Sequence, residues 1–414
     1  MRSTKRQFFL AFMVMGSVLP YLSVFLEQRG LTMSQIGWVM SLTGVGVIIS
    51  PVLTTLLADT RVQSRTLLGV LFALSGGSLA WLAGVGGFWW LLIVHGLFAV
   101  AFAPVTSLQD GLYFHRREEL EARSQAAHTD DLAEGHLGEH SRGEGRGVPD
   151  YHVVRVWGTF GFILPSVVLY FVLRGNIGTT AAVWCAAVCC GAGVLNEFTL
   201  PRLSRPTPDA ADAENRLPTA AAARALLEPH LLVFCIATFL LHLAITAYYS
   251  FYPVYLTETV SIGAEWIGLI ANLGVTIEIG FMLGFGWFLR GLGLKRLMLI
   301  GAACMAARFA LLGFLPNVGV AVGTQVFHGV MVVVIHVAPP IYLNHRADDR
   351  FRNSIQGLYA MIVFGTGRIA GNLIAGEIAE AWSLQAVFLY ATTLCLVAAG
   401  LFAFAFADGI DDNC

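Results

Sequence analysis

Charge is what this sequence has least of. Of its 414 residues, 13% are Asp, Glu, Lys or Arg, about half the roughly 25% of an ordinary soluble domain. So little charge cannot cover a soluble protein of this size. The net charge is −2, and no basic patch is interleaved with aromatic residues, which argues against nucleic acid as a partner. The seven cysteines form no CxxC pair, and all but Cys414 lie in apolar runs. They fit neither a disulfide framework nor a zinc site. HExxH, GxSxG and a nucleotide P-loop are missing as well, which excludes the corresponding hydrolases and direct ATP coupling in this chain. An alternating pattern of ten-residue strands is also absent, which removes an outer-membrane barrel.

Apolar runs are what the chain has in abundance: 56% of it is hydrophobic and the mean hydropathy is +0.69. About 20 apolar residues cross a bilayer. Twelve spans of that kind are predicted, at 7–27, 34–58, 66–84, 89–114, 153–173, 179–200, 230–256, 264–289, 296–315, 318–343, 354–379 and 384–407. Each is expected to be a helix, since backbone groups in hydrocarbon must be satisfied within the segment. The first span follows Arg2, Lys5 and Arg6 and ends at Glu27-Gln28-Arg29 with no small-residue cleavage site. It reads as a retained helix rather than a signal peptide.

Basic residues give the orientation. Twenty of the 25 fall in alternate connecting segments, and only Arg29 and Arg174 fall in the others. Both termini are therefore expected in the cytoplasm of an inner-membrane protein. Hydrophilic residues 201–229 divide the spans into bundles at 1–200 and 230–407, and 408–414 form an acidic tail. Residues 115–150 read as a cytoplasmic loop of aperiodic charge, with a prolongation of the preceding helix over His115 to Ala127 as the alternative. Its histidines (His115, His128, His136, His140) fit no standard metal spacing.

A faint repeat joins the halves. Phe25-Leu26, Ile36-Gly37 and Gly44-Val45 recur as Tyr255-Leu256, Ile267-Gly268 and Gly274-Val275, 230 or 231 positions on. Parallel repeats of this kind build carriers with a central site between two halves.

Four charged or titratable side chains lie mid-span: Glu278, Arg308, His328 and Arg368. Each ionised group at the bilayer centre costs about 2.5–3.5 kcal/mol or more, so such residues are functional candidates by default. Glu278 and His328 form the expected proton-sensitive pair, biased by Arg308. A structural Glu278–Arg308 ion pair and a His328–carbonyl hydrogen bond are the plain alternatives. Asp110 ends the fourth span and Arg155 opens the fifth, so an ion pair is expected between them, as a gate or a plain interfacial salt bridge. In the seventh span His242, Ile245, Tyr249 and Tyr252 share one helix face, lining either a cavity or an interfacial tyrosine belt. Glycines 280, 284 and 286, and glycines 365, 367 and 371, are expected to allow close helix approach.

Several stretches resemble the major facilitator superfamily. Pro51 to Arg65 (PVLTTLLADTRVQSR) is similar to its loop after the second helix, which would make Asp59 and Arg65 gating-loop residues. Arg155-Val156-Trp157-Gly158 resembles the start of the fifth helix in phenylpropionate-permease and nucleoside–proton symporter branches. Tyr248-Tyr249, Leu273-Gly274-Val275 ahead of Glu278, and His328 with His336 look like the former branch; Arg308-Phe309-Ala310-Leu311 resembles the latter. In lactose-permease-type relatives a Glu, an Arg and a His on helices eight, nine and ten serve sugar binding and proton coupling, and Glu278, Arg308 and His328 match them by helix. The coupling carboxylate of those relatives falls here at Met331, and the resemblance implies a substrate contact at Asp110 and Arg155.

The resemblance implies a secondary transporter, not an enzyme. It would work by alternating access, as a monomer, with the proton as coupling ion and without a cofactor or metal. Counting Glu278 against Arg308 and Arg368 gives the site a net charge of +1. The expected order of solutes is therefore an aromatic or organic acid, then a nucleoside, then a sugar. An uncoupled facilitator or a transporter-like receptor would share the same site.

Overall fold

The computed structural model describes residues 1–58, 63–133, 150–175, 177–200, 219–346 and 352–406. These residues are helical throughout apart from short turns, with no strand among them. The first group of helices is α1 (Arg2–Gln28), α2 (Met33–Ala58), α3 (Ser64–Gly84), α4 (Phe88–Ala133), α5 (Tyr151–Leu173) and α6 (Thr180–Glu197). A short helix, α7 (Thr219–Leu226), lies in the predicted linker and buries Ala222 and Leu226, one turn apart, against the start of a later helix. The second group opens with α8 (Pro229–Thr259) and closes with α11 (Val318–Asn344), α12 (Ser354–Ala381) and α13 (Leu384–Ala405). Asn317 and Ser383 cap α11 and α13 by accepting from Val320 N and Ala386 N, which satisfies donors that a helix start leaves open.

Between α8 and α11 lies one helical stretch, Ala264–Phe314, of 51 residues. Straight, it would run about 76 Å, more than twice the roughly 30 Å of hydrocarbon. It is interrupted at Gly293, whose φ of 72° and ψ of 162° are open to glycine alone at no steric cost. The chain folds back there. A Cβ on Gly274 would stand 2.7 Å from Gln325 Oε1, and Arg308 donates to the same oxygen at 3.0 Å. A straight helix would hold Gly274 and Arg308 about 51 Å apart. The stretch is thus two antiparallel helices, α9 (267–292) and α10 (294–314).

Over residues 115–133 the structure has the alternative of a prolonged helix rather than a loop, and α4 runs six residues beyond Ala127. Pairs one turn apart explain the persistence: Arg116 with Glu119 and Arg117 with Glu121, both at 2.7 Å. Asp59, most of the linker and the acidic tail fall outside the described residues.

The two groups meet at the end of the molecule away from Arg2. Met33 N donates to Glu380 Oε2 at 2.8 Å and Ser34 Oγ donates to Glu377. Asn272 donates to Ile163 O at 3.1 Å, and Tyr170 packs edge-on against Trp266. The repeated glycines sit at the two crossings. Gly37 on α2 abuts Asn372 and Gly376 of α12, while Gly268 on α9 abuts Tyr21 of α1 and Ser166 of α5. α2 and α12 stay packed two turns further along, at Gly44 against Gly365, whereas α5 and α9 part. Val156 and Phe160 continue the face of Ile163 and Ser166, Thr276 and Ile279 continue that of Gly268 and Asn272, and all four are exposed.

Candidate functional site

Four helices of the second group bring the mid-span polar residues together. On α9, Gly274 and Glu278 are one turn apart and face α11, where Gly274 lies against His328. Glu278 Oε2 stands 3.7 Å from His328 Nε2. The expected proton-sensitive pair is therefore juxtaposed, and the alternative Glu278–Arg308 ion pair is not formed among the described residues. His328 is buried, with Nδ1 lacking a partner, and Glu278 is half-buried.

Arg308 is 0% exposed, yet its partners are all neutral. Nη1 donates to Met331 Sδ at 3.0 Å, Nη2 donates to Gln325 Oε1 at 3.0 Å and also to Tyr248 Oη, and Nε has no partner. The guanidinium also lies over the Tyr248 ring, 4.2 Å from its centroid, an attraction that strengthens when water is excluded. Gln325 extends the network by donating to Tyr252 Oη at 3.0 Å, and Tyr252 donates to Ala321 O at 2.8 Å. The span pattern does not point to Gln325 and Tyr248 as the partners of Arg308. A glutamine inside an apolar run was the available signal, since an unpaired amide in hydrocarbon is costly too.

The tyrosines of α8 divide by face. Tyr248, Tyr252 and Tyr255 are buried inside the second group, Tyr255 donating to Leu312 O at 2.8 Å. Tyr252 is thus a packing residue and lines neither a cavity nor an interfacial belt, because its hydroxyl is consumed within the bundle. Tyr249, one residue round, is 41% exposed, with its ring centroid 5.9 Å from that of His328. His242 is buried, packed 4.9 Å from Phe364 and 6.3 Å from His336 between centroids, with both ring nitrogens unpartnered.

Arg368 is half-buried and makes no hydrogen bond or ion pair among the described residues. Its direction follows from its neighbours on α12. Gly365, Ile369, Asn372 and Gly376 face α2, and Gly367 and Gly371 face His242, Leu243 and Thr246 of α8. At about 100° per residue, Arg368 projects between those two stripes, away from the exposed Ile362 and Ile374. It points into the space between the halves, within electrostatic reach of Tyr249, His242 and His336. Part-exposed Glu278 and Arg368 would be untenable against lipid; their accessible surface belongs to that interior space.

The first group contributes Arg155 and Asp110 near the wide end. They do not form the expected ion pair. Asp110 Oδ1 instead accepts from Tyr151 Oη at 2.9 Å, and the Arg155 guanidinium lies 4.7 Å from the Phe12 ring centroid. Burial first and the Asp110 carboxylate second push the Tyr151 hydroxyl up to about 12. Tyr151 opens the same helix one turn before Arg155 and its hydroxyl takes the Asp110 carboxylate, which Arg155 reaches through its field alone. Arg155 is in electrostatic reach of Glu278 across the space between the halves. Arg65 donates to Gln63 Oε1 at 3.0 Å and touches none of these residues in the described contacts. Glycines 280 and 286 meet no neighbouring atom within 4 Å, and Gly284 meets Phe288 of its own helix, so the expected close approach along α9 does not occur there.

Comparisons with known proteins identify the family. The chain is 25% identical to the maltose permease of Geobacillus stearothermophilus over 94% of this chain and 90% of that one. It is 22% identical to the nucleoside permease NupG of Escherichia coli (strain K12), over 96% and 92%. A crystal structure of a point mutant of the nucleoside transporter NupG superposes with a TM-score of 0.83 at 21% identity, covering 98% of this chain and 99% of that one, and so shares its fold. The family model for the nucleoside H+ symporter matches residues 3–408. With nearly its whole length matched, the chain belongs to the nucleoside H+ symporter family, a membrane transporter and not an enzyme.

Proposed function

We propose that the chain carries a ring-bearing solute of nucleoside size together with a proton, and that Glu278 and His328 are the groups that couple the two. The observation that carries this reading is their 3.7 Å juxtaposition beside the exposed ring of Tyr249. Glu278 borders the interior space and exchanges a proton with water there, while His328 behind it responds to the change in charge. Arg155 faces the same carboxylate from the other half. Protonating Glu278 removes an attraction that spans the two halves, which ties proton occupancy to their relative position. Arg308 holds the α8–α10–α11 wall together, Arg368 and Tyr249 meet the solute, and Asp110, Arg155 and His242 border the path. Asp59 and Arg65 are assigned to the gating loop.

The fold-back at Gly293 supports twelve crossings, in bundles at 1–200 and 230–407 joined by 201–229. The basic residues support cytoplasmic termini in an inner membrane, and the site lies within one chain, so a monomer suffices. The family's coupling ion is the proton. Uptake into proteoliposomes under an imposed pH gradient tests the reading. Gradient-dependent accumulation abolished by a protonophore is expected; equilibration that ignores the gradient would make the protein a facilitator and return Glu278 and His328 to structural roles.

A further inference from the structure

We propose that Asn372 is a solute contact that forms only while the closed end is open, its amide taking an uncharged hydrogen-bonding group of the solute; the proposal rests on the carrier reading above and adds to it a residue and a conformational state. Asn372 is 1% exposed, and neither its Oδ1 nor its Nδ2 has a partner among the described residues. It lies on the face of α12 that meets α2, where a Cβ on Gly37 would stand 2.6 Å from the Asn372 carbonyl oxygen and 3.0 Å from Gly376 Cα. The glycines bring that seam together by their size, and the amide adds no bond to it. At the other crossing an amide does hold the halves: Asn272 on α9 donates to Ile163 O of α5 at 3.1 Å. Asn372 bridges nothing, and burying it unpaired weights the closed end about fivefold or more toward opening.

The cover over Asn372 belongs to the other half, so it is withdrawn when α2 and α12 separate. Asn372 lies one turn, about 6 Å, beyond Arg368 toward the closed end and about 40° round the helix from it. Opening therefore presents the amide to the interior space that Arg368 already borders. An amide oxygen accepts and its two N–H groups donate, which matches hydroxyls or the edge of an uncharged ring and gives no advantage to a charged group. A bond made there satisfies the amide in the open state alone. The solute then binds that state more tightly than the closed one, and this difference is what shifts the equilibrium.

Spin labels on Thr32→Cys and Trp382→Cys, in a chain otherwise free of cysteine, read the distance across the closed end with and without saturating uridine. Equilibrium dialysis of labelled uridine reads binding, and both use the full chain in liposomes without a gradient. Uridine is expected to raise the ratio of long to short distances about tenfold in the chain with Asn372 intact. Asn372→Leu should cancel that response and should not raise the ratio in the absence of uridine. Asn372→Ser, smaller but still able to donate and accept, should keep part of the response, which separates lost recognition from misfolding. Uridine that binds without changing the ratio, or a response that survives Asn372→Leu, would overturn the proposal. A ratio that rises in Asn372→Leu without uridine would overturn it too, by showing that the amide holds the seam. Failure of the intact chain to bind uridine would overturn it together with the solute class of the carrier reading. Accumulation of uridine under a pH gradient is scored separately; its absence, with the response intact, would refute proton symport and leave the role of Asn372 standing.

Discussion

Replacing Gly37 by alanine should push the two halves apart at their closed end. A Cβ there would stand 2.6 Å from Asn372 O and 3.0 Å from Gly376 Cα. Ordinary carbon–oxygen contact begins near 3.3 Å, so α2 and α12 must separate by roughly 0.7 Å at a crossing where both obstacles are backbone and neither can rotate aside. Overpacking of this kind costs about 1–3 kcal/mol. The cost applies to the state in which α2 and α12 touch, and is absent when they do not, so the equilibrium should shift about 5- to 150-fold toward separation. Spin labels at Thr32→Cys and Trp382→Cys, in a background without the seven native cysteines, would report the distance across the closed end. A rise in the long-distance population of at least fivefold is expected. Gly280→Ala, which meets nothing within 4 Å, should leave the distribution unchanged. Gly268→Ala approaches its obstacles more closely than Gly37→Ala does. These are the Tyr21 hydroxyl and the Ser166 Oγ, with the Ser166 Cβ, fixed to the α5 backbone, at 2.7 Å, so Gly268→Ala should open the α5–α9 crossing as well. Identical distributions for Gly37→Ala and wild type, or an equal shift from Gly280→Ala, would refute the reasoning.

Glu278→Gln should abolish proton-driven accumulation while leaving counterflow exchange measurable; undiminished accumulation would remove Glu278 from coupling. Gln325→Leu strips Arg308 of an acceptor and Tyr252 of a donor, and should destabilise the protein by about 2–3 kcal/mol, read as a lower midpoint in a fluorescence melt; an unchanged midpoint would show the network to be idle. Tyr151→Phe leaves the Asp110 carboxylate without its donor and should cost about 1–3 kcal/mol. Because the Tyr151 hydroxyl titrates near 12 in the fold against 10.0 in the free side chain, its contribution is intact below pH 10 and declines as pH rises toward 12. A wild-type advantage that fades between pH 6 and 9 would contradict that assignment. Glu380→Gln weakens the acceptor for Met33 N at the start of α2, where a negative charge is favoured by the helix dipole. It should raise the separated population in the spin-label measurement by a few-fold, and no change would show the contact to be incidental.

Much of this arrangement is legible before any coordinates are known. Span positions follow from apolar length, and the repeated Ile36-Gly37 and Ile267-Gly268 mark the two crossings, where Gly37 meets backbone and Gly268 meets the side chains of Tyr21 and Ser166. That repeat is visible because a close crossing tolerates glycine and little else, so the constraint is written at one position in each half. Depth is legible for the same reason. Counting 1.5 Å per residue from a span's end places Glu278 and His328 at one level, and they meet.

Depth leaves direction undetermined, and direction decided the remaining partners. Asp110 and Arg155 share a level at the wide end, yet one binds Tyr151 and the other rests on Phe12. Arg308 shares a level with Glu278, yet lies on the side of α10 that faces Gln325 and Tyr248. Rotation about a helix axis is fixed by which neighbour each face packs against. That is a property of pairs of helices distant in sequence, and a single amphipathic pattern cannot report it when every face is apolar. Tyr252 and Tyr249 show the consequence within three residues: the same side-chain type is buried in one case and open to the interior in the other. The residues left open to the interior space are therefore those one position away from the packed stripes. On α8 that residue is Tyr249, beside Tyr248. On α12 it is Arg368, beside Gly367 and Ile369. Where two packed stripes flank a charged side chain, as on α12, the side chain is left no direction but the space between the halves.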